Sequence, residues 1–294
     1  MLNASRALTL VLALLLTGCQ SLSFLVANLP SFGAARRTDL RYADGPRGAM
    51  DAYLVRPGEA PRPLVVFWYG GGFTEGQRAE YRFVGAALAR AGYVTVLPDY
   101  RVYPEVRFPV FLEDAARAVV AAQGQATALG ADPRRIVLAG HSAGAYIAAM
   151  LALNPEYLLR AGGDPRWIVG LVGLSGPYDI DPNTPVLDRV FRDTATPAEF
   201  KPVSFVTAAA PPTLLLHGEA DTLVGASHAR TLAAALAKDG VPVTLKLYAD
   251  RGHADTVAAL SWVARYRAPV SADLFSFLAS LGDAPPRVAS QSHQ

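Results

Sequence analysis

Cysteine is nearly missing from this chain: there is one thiol in 294 residues, at position 19. The remainder therefore has no intrachain disulfide and no cysteine nucleophile. Charge is sparse as well. Asp, Glu, Lys and Arg make up 18 % of residues, the formal net charge is +2, and no basic cluster interleaves with aromatics. Nucleic acid is thus not an expected partner. No His/Cys/Asp group has metal-ligand spacing and no glycine-rich loop has the phosphate-cradling pattern, so neither metal nor cofactor is expected. Repeats of solenoid or propeller length are absent. Apolar residues are plentiful, at 51 %, enough for one sizeable core and one domain.

The most informative stretch is Gly140-His141-Ser142-Ala143-Gly144, between the strand-like run Arg135–Ala139 and an Ala-rich helical pattern. A strand, a sharp turn and a helix opening at a serine form a nucleophile elbow, and glycines two residues to either side remove side chains that would collide in the turn. The hydroxyl of Ser142 then stands above the sheet at the positive end of a helix.

Histidine is scarce too, which narrows the choice of a base to five. His293 lies in a polar tail. His228 falls in a helical pattern (Ala226–Leu236) and reads as a solvated surface residue. His141 points away from its neighbour Ser142 and reads as packing, and His217 as a partly buried strand end. His253 follows a strand pattern (Val243–Tyr248) and Gly252, the setting for an imidazole carried to the serine. For the acid that orients it, the chain order Ser, acid, His selects Asp221 just past the strand Thr213–Leu216, with Glu219 the nearby alternative. Asp179 and Asp181 follow an earlier strand and fit less well. Gly70-Gly71-Gly72-Phe73 after the buried-type strand Leu64–Tyr69 reads as an oxyanion loop. The backbone N–H groups of Gly70, Gly71 and Ala143 are the expected donors, and Gly72 shapes the loop.

With these residues in place, the chain resembles the α/β-hydrolase esterases and lipases whose oxyanion loop reads His-Gly-Gly-Gly, in particular bacterial carboxylesterase-like enzymes related to feruloyl esterases and hormone-sensitive lipase. Tyr69-Gly70-Gly71-Gly72-Phe73, the stretch Pro98–Glu105, the Ser142 elbow, His217–Asp221 and Gly252-His253 carry the resemblance from about Asp51 onward. It implies a Ser142–Asp221–His253 triad acting on esters through an acyl-enzyme. Tyr69 stands where the family has histidine. The resemblance implies a bracing role for that position, with direct donation to the oxyanion as the alternative. Amide hydrolysis of the formamidase or peptidase type, and a non-catalytic membrane-tethered binding protein, are the competing functions.

The expected architecture is one mostly parallel sheet of about eight strands flanked by helices. Met50–Val55 and Leu64–Tyr69 are its expected antiparallel edge. Expected helices are Arg78–Arg90, Phe111–Ala122, Ala143–Leu153 and Ala272–Leu281, with further strands at Tyr93–Leu97 and Trp167–Leu174. Residues 179–206, rich in Pro, Asp and Thr with a helical piece at Val186–Phe191, read as a small cap. Phe73, Tyr103 and Phe108 are candidate pocket residues.

At the N-terminus, Arg6 and the apolar run Ala7–Leu16 precede Leu16-Thr17-Gly18-Cys19. This resembles the lipobox of a bacterial lipoprotein, and the run is too short to span a bilayer comfortably. The division expected is a lipoprotein signal (1–18), a tether (19–38), a catalytic domain (39–283) and a disordered tail (284–294). Lipid on Cys19 would hold the exported protein at a membrane, and Gln20 favours the periplasmic face of the outer membrane. An ordinary secretory signal is the alternative.

Overall fold

The computed structural model describes residues 24–31, 34–55, 62–181, 185–192 and 196–281. Its frame is an eight-stranded sheet: β1 (Arg36–Arg41), β2 (Ala49–Tyr53), β3 (Pro63–Trp68), β4 (Thr95–Pro98), β5 (Asp132–His141), β6 (Ile168–Leu174), β7 (Thr213–Gly218) and β8 (Val243–Tyr248), in the order β1-β2-β4-β3-β5-β6-β7-β8. Strands β3, β6 and β7 are apolar nearly throughout and buried at every position, as strands covered on both faces must be. Strand β8 alternates between partly buried and exposed positions, which suits a sheet border.

The pairing corrects one expectation. Strand β2 runs antiparallel to both β1 and β4, whereas β3 pairs parallel with β4 and β5. Leu64–Tyr69 is thus interior rather than part of an antiparallel edge. The edge strand is β1, whose Arg-Arg-Thr-Asp-Leu-Arg sequence is largely exposed and carries little apolar signal. The expected tether is corrected with it. Residues 24–28 form a helical turn, the Phe24 ring packs 5.5 Å from Tyr81, and the Asn28 amide donates to the Glu80 carbonyl and accepts the Phe83 N–H. Phe24 and Asn28 are thus docked on the domain. Cys19, the signal, the tail with His293, and residues 182–184 and 193–195 of the cap lie outside the described residues.

Helices α1 (Arg82–Arg90), α2 (Val110–Leu129), α3 (Ala143–Leu153), α4 (Pro185–Phe191), α5 (Ser227–Lys238) and α6 (Val270–Ser280) connect or flank the strands. Of the expected helix Arg78–Arg90 only Arg82–Arg90 is α-helical, because Arg78–Tyr81 takes a 3-10 turn. Helix α2 outruns its expected end at Ala122 by two turns and stops at Gly130, whose φ of 88° provides a left-handed cap. Helix α3 carries no charged side chain, is buried nearly throughout, and packs on β3, β5 and β6. It therefore fixes the elbow from beneath.

Candidate active site

The elbow is held by backbone rather than by side chains. Ser142 adopts φ 55° and ψ −122°, a strained conformation for a residue with a Cβ. Its N–H donates to the Leu174 carbonyl of β6 at 2.9 Å, and its carbonyl accepts from Ala145 and Tyr146. A Cβ on Gly140 would stand 2.2 Å from the Gly144 carbonyl oxygen, and one on Gly144 would stand 2.1 Å from that of Trp68. Both positions require glycine for contact.

The loops after β7 and β8 bring Asp221 and His253 together. His253 Nδ1 lies 2.8 Å from Asp221 Oδ2. The other carboxylate oxygen accepts the N–H groups of Leu223 and Val224, so Asp221 is buried yet fully bonded. Backbone bonds lock the loops to each other, since Glu219 donates to Tyr248 and Ala220 to Arg251. A Cβ on Gly218 would meet the Arg251 carbonyl oxygen at 2.1 Å. Glu219, the alternative acid, is instead at the surface in a pair with Arg230. Asp179 pairs with Lys201. His217 is fully buried rather than partly so. Its Nε2 donates to the Val224 carbonyl at 2.8 Å and lies 3.3 Å from Asp221 Oδ2, giving the carboxylate a second imidazole neighbour that sequence reasoning missed. Burial holds His217 below the usual histidine range.

The glycine loop reaches the elbow from the other side. A Cβ at Gly70 would lie 3.0 Å from Ser142 Cβ, so the loop and the elbow serine are in contact. Here the expected donor set is corrected. The Gly70 N–H is already bonded to the Tyr81 hydroxyl at 3.2 Å and is not available to a reacting oxygen. Among the described residues, no protein acceptor takes the N–H groups of Gly71, Gly72 and Ala143. Gly71 and Gly72 have φ of 136° and 58°, values that glycine adopts without strain.

Tyr69 occupies the bracing position. Its hydroxyl accepts from Arg47 Nη1 at 3.0 Å and from the Tyr100 N–H, its ring stacks on Tyr100 at 4.7 Å, and its carbonyl accepts the Tyr100 hydroxyl. The hydroxyl thus lies against Arg47 and the Tyr100 N–H. Arg47 also donates to the Gly76 carbonyl at 3.0 Å, tying both ends of the loop to one guanidinium. Neither Arg47 nor Tyr81 carries a local sequence signal.

Phe73, next in the loop, is packed by Phe111, Tyr146 and Phe191 at ring distances of 5.2–5.5 Å. Phe108 joins this cluster through Phe191, and the Tyr146 hydroxyl donates to the Phe200 carbonyl. Phe191 thus packs on the loop residue Phe73, and Phe200 packs on Phe191. Tyr103 is only partly buried, under the guanidinium of Arg107. His228 is not solvated as expected: its Nδ1 accepts the Asp179 N–H at 3.1 Å, and burial lowers its affinity for a proton.

Residues 65–257 match the family described as alpha/beta hydrolase fold. An isoprenylcysteine alpha-carbonyl methylesterase of Arabidopsis thaliana is 29 % identical over 246 residues, 76 % of this chain and 58 % of that protein. Esterase LipC of Mycobacterium tuberculosis is 31 % identical over 222 residues, 66 % of this chain and 53 % of that one. The chain thus spans little more than half the length of these relatives. Esterase B from Lactobacillus rhamnosis superposes with a TM-score of 0.78 at 18 % identity, covering 96 % of this chain and 97 % of that one; this is a likeness of fold. With a parallel-sheet frame, an elbow serine and a family match across both, the chain belongs to the α/β-hydrolase fold family.

Proposed function

We propose that this protein is a serine hydrolase of carboxylic esters. The observation that carries the reading is the Asp221–His253 bond of 2.8 Å on the sheet edge of a site whose elbow serine is contacted by a glycine loop. The esterase and methylesterase names of the relatives support it. Asp221 accepts a hydrogen bond from the Nδ1–H of His253, which leaves Nε2 as the nitrogen that accepts the Ser142 proton. Ser142 Oγ attacks the ester carbonyl, and the resulting oxyanion is bound by the N–H groups of Gly71, Gly72 and Ala143. His253 returns the proton to the leaving alcohol. Water, deprotonated by the same imidazole, then releases the acid from Ser142. Hydrolysis of p-nitrophenyl esters of graded chain length tests the reading, with Ser142→Ala beside the wild type. Turnover by the folded wild type alone supports it. Cleavage of p-nitroanilides with no ester turnover moves the assignment to amides.

We propose further that the chain is exported and carries lipid on Cys19, at the periplasmic face of the outer membrane. The lipobox-like sequence supports this, as do Leu25 and Leu29, which expose 53 % and 57 % of their surface close behind it. Alkyne-palmitate labelling followed by membrane fractionation tests it. A label that survives Cys19→Ala overturns it.

A further inference from the structure

One hydrogen-bonded chain crosses the site without using any residue of the proposed triad's side chains. It begins at the Gly70 N–H, which bonds the Tyr81 hydroxyl at 3.2 Å. Tyr81 Oη lies 3.0 Å from His141 Nδ1, and His141 Nε2 lies 3.1 Å from the His253 carbonyl oxygen. Only one proton arrangement satisfies all three contacts. A carbonyl oxygen solely accepts, so the His141 proton sits on Nε2. Burial draws the His141 pKa down to about 3, so the ring is neutral and Nδ1 is an acceptor. The Tyr81 hydroxyl must therefore donate to Nδ1, and its lone pair receives the Gly70 N–H. Every group in the chain is buried or partly buried, and each contact has one direction.

The three segments joined are the oxyanion loop, the residue before the nucleophile, and the loop that carries the base. We propose that Tyr81 and His141 are positioning residues: they hold Gly70 turned away from the reacting oxygen, so that Gly71 and Gly72 face it, and they pin the His253 backbone to the elbow. This rests on the ester-hydrolase reading of the same site. The interaction gains its value in the transition state, when the oxyanion forms, so its loss should appear in kcat rather than KM.

Tyr81→Phe removes the hydroxyl that both accepts and donates. His141→Gln places its amide near the former Nε2 and loses the Nδ1 contact, so it breaks the same link from the other side. Each variant should lower kcat about tenfold with KM within twofold. Each should weaken inhibition by a trifluoromethyl ketone, which forms an oxyanion on Ser142, by the same factor. The double variant should lose no more than either alone, because one chain is broken once. Additive losses, or a change in KM alone, would overturn the proposal. Ring-nitrogen NMR of His141 in the wild type provides a measurement independent of turnover. An Nε2–H tautomer persisting from pH 8 to 5 and perturbed by Tyr81→Phe is expected; an Nδ1–H tautomer, or a charged ring at pH 6, overturns it. An inactive wild type with the Nε2–H tautomer would instead sink the ester reading and leave the hydrogen-bonded chain standing.

Discussion

Ser142 and His253 stand on different loops, and main-chain contacts place the one while a ring-to-carboxylate bond orients the other. Ser142 is set by the β6 carbonyl of Leu174 and by two glycines, and His253 by Asp221 and the backbone of its loop. Loss of Ser142 or His253 should therefore lower turnover on the order of 10⁶-fold, whereas Asp221→Ala should lower it on the order of 10⁴-fold. Steady-state kinetics on a p-nitrophenyl ester reads both, and losses of only a few-fold would remove these residues from the mechanism. Arg47 offers a subtler case. Arg47→Met leaves the Tyr69 hydroxyl and the Gly76 carbonyl without their shared donor. The loop should loosen and kcat fall by roughly one order of magnitude, while Arg47→Lys recovers part of the loss, because both contacts come from one nitrogen, Nη1, and an ammonium has protons for two acceptors.

Among secondary-structure elements, the contrast between two helical glycines is the sharpest test of packing. Gly124 in α2 has open space where a Cβ would go, so Gly124→Ala should stabilise the protein by about 0.5–1 kcal/mol. Gly144 in α3 faces the Trp68 carbonyl oxygen at contact distance, so Gly144→Ala should destabilise by several kcal/mol or prevent folding. Urea unfolding distinguishes the two. Phe191 in α4 makes the matching argument for specificity. It is buried against Phe73, Phe108 and Phe200, and Phe191→Ala should cost about 3–5 kcal/mol of stability. The same cavity should shift the preferred acyl chain longer, which the ester series reads directly; an unchanged optimum would place the acyl group elsewhere.

For the molecule as a whole, acid sensitivity follows from its buried imidazoles. The His141 pKa is drawn down to about 3, and burial also depresses His217 and His228. In the unfolded chain these groups take protons near pH 6.5. Between that value and the folded one the unfolded state holds more protons, so stability falls as pH drops through 6.5 and keeps falling toward 3. For His141 the slope is about one kcal/mol per pH unit. Urea midpoints at pH 7.5, 6 and 5 should show the wild type losing its margin over His141→Gln as the solution is acidified. A constant margin would mean that His141 is not held neutral.

What the sequence made legible was local in the chain. The elbow, the glycine triplet and the order Ser142, Asp221, His253 are each written within a few residues of a strand end. What escaped was set by partners far along the chain. Tyr81 sits 60 residues before His141, and its bond to Gly70 reassigns a donor that the triplet alone could not sort. Sheet order is likewise a long-range property. The exposed β1 has no alternating apolar pattern, so the true edge went unseen and β3 was moved outward in its place.

The backbone-to-backbone contact at the elbow also bears on how this protein can change. Trp68, Gly140 and Gly144 meet through main-chain atoms, which every amino acid supplies alike. Substitutions in the rings around Phe73 therefore leave the seat of Ser142 untouched, provided the two glycines stay. Side-chain variety and main-chain constancy are thereby assigned to different residues, and libraries that randomise the aromatic cluster should return many folded proteins with the elbow intact.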